Sequence, residues 1–96
     1  YSAIEEVFSD YLELERKDSL DLAQSLFLLS KEQGCENLLI QIQNYLLNLL
    51  KSNIDNTSAK IKILSDIKSV ELAKRMINNH INPQLALEDM CLNFTK

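Results

Sequence analysis

The sequence predicts an all-α fold, a compact bundle of about five antiparallel helices, from three observations. One Gly and one Pro in 96 residues leave almost no positions for the positive-φ turns that hairpins and sheet corners need. Apolar residues recur at spacings of three and four along most of the chain, the period of an amphipathic helix. Apolar residues are 46% of the chain and charged residues 25%, a balance that is neither disordered nor membrane-spanning. Residues 1–96 read as one domain, long enough to bury roughly 60–65% of its unfolded surface.

Helix 1 is read from the stripe Ile4, Val7, Phe8, Tyr11 and Leu12. Ser2 with Glu5 three residues on is a capping-box pattern, and the charged cluster 13–18 ends the helix. Helix 2 begins after Asp18 or Ser19 and runs to about Glu32. Leu22, Ala23, Leu26, Phe27 and Leu29 form its apolar face, and Gly34 provides a cap that tolerates a left-handed conformation.

Helix 3 covers roughly 35–52. Its polar residues Asn37, Gln41, Asn44, Asn48 and Lys51 make one narrow stripe, and nearly everything else is Leu, Ile or Tyr. A helix apolar on most sides is central, or faces a partner as well as its own core. It reads as the most buried element of the chain. Residues 53–58 are a turn of side chains that compete for backbone groups.

Helix 4 carries Ile63, Ile67, Val70, Ala73 and Ile77 on one side. It is continuous from about 57 to 79 or breaks at Ser65-Asp66, and continuity is the favoured reading. Lys74 and Arg75 close it as cations at a helix C-terminus, and His80 at the same end is a residue favourable to the helix dipole. Pro83 lacks an N–H and fits only the first turn of a new helix, where Asn82 can cap the free donors. Leu87, Met90, Cys91 and Phe94 then form the stripe of helix 5.

Charge is unevenly spread. Residues 1–21 hold seven acids against two bases, a local −5, whereas residues 51–80 hold six bases against three acids, a local +3. That footprint is too weak and scattered to predict direct nucleic-acid contact. Cys35 and Cys91 stand alone, as small apolar side chains in a reducing compartment do. No signal peptide or span of ~20 apolar residues is present. The chain opens at Tyr1 within a helical pattern, which reads as part of a longer cytoplasmic protein.

No catalytic residue, cofactor site or metal site emerges. His80 is the only histidine and has no adjacent nucleophile. One glycine cannot build a phosphate-cradling loop. The pairs Glu5/Glu6 and Glu88/Asp89 are adjacent in sequence and diverge by about 100° on a helix, so neither converges as a dyad.

The stretch Asn82-Pro83-Gln84-Leu85-Ala86-Leu87-Glu88, about a dozen residues from the end and preceded by Ala73 and Ile77, resembles a known ending. It is similar to that of the C-terminal domain of bacterial DNA polymerase III delta-prime clamp-loader subunits. The remainder matches in helix spacing. This chain departs in His80-Ile81 before the asparagine and in Asp89-Met90-Cys91, which leaves a paralogous clamp-loader subunit open. The resemblance implies a collar domain, joined in the parent protein to an AAA+ module, within an assembly classed as a DNA-directed DNA polymerase. Its implied partners are the other clamp-loader subunits, met through apolar faces left over once the bundle has formed. The candidate interface residues are Leu39, Ile40, Leu47, Leu50 and Leu85, on helices 3 to 5 rather than on acidic helix 1. The alternatives are a free-standing helical adaptor that binds a partner helix or peptide, and a regulatory nucleic-acid-binding helical domain. The sequence upstream of Tyr1 separates them.

Overall fold

The computed structural model describes residues 2–95, apart from the side chains of Ser2 and Ala3. Its helices are α1 (Ser2–Val7), α2 (Ser19–Gln33), α3 (Cys35–Ser52), α4 (Thr57–Asn78) and α5 (Pro83–Phe94), with 3₁₀ turns at Tyr11–Glu13 and Arg16–Asp18. No strand occurs among the described residues. Consecutive long helices pack on each other and α5 returns to α2. The four therefore close a square in which α2 lies opposite α4, and α3 opposite α5. Helix α1 packs on α2 and α3. The radius of gyration of 12.4 Å suits a globule of this size, for which about 13 Å is typical.

The first helix is shorter than its apolar stripe predicts. It stops at Val7, and a 3₁₀ turn carries Tyr11 instead. Ser9 and Asp10 are weak helix formers whose side chains favour turns. The break also delivers Tyr11 to a buried partner on α4, while Leu12 stays out in solvent. Phe8 and Tyr11 are both buried, and Phe8 stacks on Tyr45 at 5.5 Å while Tyr11 meets Phe94 edge-on at 5.9 Å. These rings fasten the N-terminal segment to α3 and α5. The capping pair expected at Ser2 and Glu5 involves a side chain outside the described residues.

Helices α2 and α3 are joined by Gly34 alone. Its φ of 86° is positive, as the sequence demands, but its ψ of 143° is extended rather than left-handed helical. Its N–H still donates to Ser30 O at 2.9 Å, and the chain turns directly into α3. Helix α3 is not the most buried element. It buries Leu38, Leu39, Ile42 and Leu46 from 18 residues, whereas α5 buries Ala86, Leu87, Met90, Cys91 and Phe94 from 12. The apolar residues of α3 therefore do not all turn inward: Ile40 and Leu47 are exposed, and Tyr45, Leu49 and Leu50 are only partly buried.

Helix α4 runs unbroken through Ser65-Asp66. Asn56 caps its start by accepting from Ala59 N at 3.2 Å. Its end is a Schellman motif. His80 adopts φ +64°, His80 N donates to Ile77 O and Ile81 N to Met76 O, both at 3.0 Å. These two bonds satisfy carbonyls that a helix end would otherwise leave free. Asn82 then accepts from Gln84 N at 2.8 Å, with Pro83 in the first turn of α5.

Two substitutions at this corner should move stability in opposite directions. Asn82→Ala should cost about 1 kcal/mol through the lost cap. His80→Gly should add about 0.5–1 kcal/mol, because glycine adopts positive φ without strain. Urea midpoints of the two variants check both signs.

Candidate functional site

The groups that could carry chemistry are dispersed. Among the described residues no three His, Cys, Asp or Glu gather as metal ligands would. Cys91 is buried and its thiol is pushed up to about 12, chiefly by burial and then by Glu88. Burial, aided by Glu36, also raises the Cys35 thiol. Neither sulfur is therefore ready to act as a thiolate nucleophile. His80 is exposed and serves the α4 cap by its backbone.

One buried polar cluster escaped the sequence reading. Asp66 is 2% exposed and faces inward from α4. Its Oδ2 accepts from the Tyr11 hydroxyl and, at 3.0 Å, from Lys62 Nζ. Lys62 Nζ also donates to Phe94 O at 2.5 Å and lies 4.8 Å from the Tyr11 ring centroid. Burial raises Asp66 above the usual carboxylate range, against the lowering effect of its two donors. Burial and the bond to Asp66 push the Tyr11 phenol far up. This cluster joins the N-terminal segment, α4 and the end of α5, which is structural work. Its signal lay in the spacing: Asp66 falls between Ile63 and Val70 on the inward stripe.

The surface offers apolar faces instead. Ile40 and Leu47, seven residues apart on α3, are 47% and 41% exposed, and Leu85 on α5 is 59% exposed. Leu50 is half-buried against the core. Leu39 is the exception among the candidate interface residues. It is fully buried and forms the floor of a 260 Å³ groove between α3 and α4, beside Ile40 and Ile77. A partner cannot bury it further, because the bundle already has. Ile40 and Leu47 share one face of α3. Leu85 does not join them, since α5 occupies the opposite corner of the square.

Of the motif residues, Asn82, Pro83, Gln84 and Leu85 are exposed, Ala86 and Leu87 are core, and Glu88 is half-buried. The sequence reading also missed the outer face of α4, where Ile61, Leu64 and Leu72 are exposed. They sit at i, i+3 and i+11, outside the inward stripe of Ile63, Ile67, Val70, Ala73 and Ile77. A further groove of 410 Å³ lies between α2 and α5, walled by Leu20, Phe27 and Leu28 and rimmed by Lys31 and Glu88. No described helix is long and apolar enough to cross a membrane. No family model, curated protein or solved structure matches this chain.

Proposed function

We propose that this chain is an association domain, the collar domain of a DNA polymerase III clamp-loader subunit (delta-prime or a paralogue). In this reading it packs against neighbouring subunits in the cytoplasmic ring that loads the sliding clamp. The observation that carries the reading is the pair of exposed apolar faces at opposite corners, Ile40 and Leu47 on α3 and Leu85 on α5. A subunit in a ring meets two neighbours through two different surfaces. Exposed apolar patches are where such contacts form.

The Asn82-Pro83 corner, which carries the family resemblance, supports it by setting the direction in which α5 presents Leu85. The domain supplies no catalytic group and binds no cofactor. Nucleotide chemistry belongs to the AAA+ module of the parent protein, and the enzyme class to the assembly. DNA contact falls to other parts of that assembly, because the outward bases of α4 are interleaved with aliphatic residues.

Retention of purified clamp-loader subunits from the same organism by the tagged chain, without nucleotide, is the expected result. Failure to retain any of them would refute the reading. The groove between α2 and α5 favours a second reading, an adaptor that holds a partner helix there. Leu28→Glu would then abolish partner binding, and Ile40→Glu would leave it intact.

A further inference from the structure

We infer that the chain associates with copies of itself, the outer face of α4 on one copy docking into an acidic groove between α1 and α2 on the next. On α4, Ile61, Leu64, Lys68, Leu72 and Arg75 are all exposed. At 100° per residue they fall within one arc of the helix. They span about 21 Å of it at 1.5 Å per residue. The stripe is apolar with two cations set into it, and neither Lys68 nor Arg75 makes an ion pair among the described residues.

The complementary surface is elsewhere on the same molecule. A groove of 280 Å³ has Val7, Leu14 and Leu22 for its apolar lining and Asp10, Asp18 and Asp21 around it. Asp18 accepts from the Glu15 backbone N–H at 3.1 Å, and the nearby Lys17 is engaged by Glu15 at 3.2 Å. Asp10 and Asp21 are exposed and have no cationic partner among the described residues. The two surfaces match in kind: aliphatic side chains with interleaved cations on one, an aliphatic groove with aspartates on the other.

Charge complementarity thus names the occupant as a second copy, and the charge imbalance along the chain, −5 over residues 1–21 and +3 over 51–80, acquires a use. The α4 face and the α2 flank lie at opposite corners of the square. One pair of molecules therefore cannot satisfy both surfaces at once, and the contact is heterologous. Such contacts continue into rings or open chains. The inference stands apart from the collar reading, since it uses neither α3 nor Leu85.

Sedimentation velocity of the whole chain at rising concentration tests it. The expected result is an average mass that climbs past the dimer and falls back as salt screens the aspartates. Lys68→Glu with Arg75→Glu should weaken association about tenfold or more, and so should Asp10→Lys with Asp21→Lys, because like charges then face each other. Mixing these two double variants restores opposite charges across every contact, so the mixture should assemble about tenfold or more tightly than either component alone. A monomer mass at every concentration up to about 1 mM would overturn the inference. A dimer that does not grow, or association that the two double variants leave unchanged, would overturn it equally. Urea midpoints close to wild type confirm that the variants are folded, and recovery on mixing excludes misfolding as the cause of any loss.

Discussion

Asp66→Ala should lower the stability of this domain by about 2–4 kcal/mol, the penalty for leaving buried polar groups without their partner. The carboxylate is the shared acceptor for the Tyr11 hydroxyl and Lys62 Nζ. Removing it strands the Tyr11 hydroxyl inside the aromatic cluster and leaves Lys62 with only the Phe94 carbonyl as an acceptor. Domains of this size have only about 5–15 kcal/mol in total, and each kcal/mol shifts the melting temperature by about 4–8 °C. The variant should therefore melt at least about 8 °C lower. Tyr11→Phe keeps the ring against Phe8 and Phe94 and removes a single donor, so it should cost only about 1 kcal/mol.

The same carboxylate also gives stability a pH dependence. Its folded-state pKa is raised by burial above the ordinary value of about 3.9. Between that ordinary value and the raised one, the folded state holds a proton that the unfolded chain has released. Asp66 therefore contributes stability that is greatest below pH about 4 and is lost as pH rises through its folded value. Asp66→Asn should remove this slope, which urea midpoints measured across the mildly acidic range will show.

A second large effect is expected at the surface. On the proposed collar reading, Ile40→Glu combined with Leu47→Glu should abolish assembly with neighbouring clamp-loader subunits while leaving the fold intact. Both side chains are more than two-fifths exposed, so charging them costs the isolated domain little, within about 0.5 kcal/mol per site. At an interface the same charges would be buried without partners. Losses of about 2 kcal/mol or more, roughly thirtyfold in affinity, are normal for central apolar positions. Lysine or alanine at Glu5, Glu6 or Asp10 should leave that assembly nearly unchanged. Binding curves of each variant against the partner subunits rank the two sets.

How far the fold could be read from the chain depended on how local its causes were. The limits of α2 and α3 and the capped start of α5 follow from Gly34, Asn82 and Pro83, whose backbone chemistry acts over a few residues. The continuity of α4 could be favoured because its apolar period does not change phase at Ser65. What escaped depended on contacts far apart in sequence. The break after Val7 is settled by Tyr11 reaching Asp66, 55 residues away. Ser65-Asp66 offers a possible helix break in local terms, whereas the place of Asp66 on the inward stripe between Ile63 and Val70 makes it part of the core. Leu39 and Ile40 are neighbours of equal hydrophobicity, and only the position of α4 decides that one is floor and the other rim. His80 at positive φ had no sequence signal beyond its place at the helix end.

Site-directed photocrosslinking of the chain mixed with the subunits that the proposed collar reading names as its partners tests that reading most directly. A photoreactive residue at Asn44, exposed on α3 beside Ile40 and Leu47, should crosslink to a neighbouring clamp-loader subunit. The same residue at Glu6, on the acidic surface of α1, should not. Crosslinks from position 6 with none from position 44, or none from either, would contradict the account.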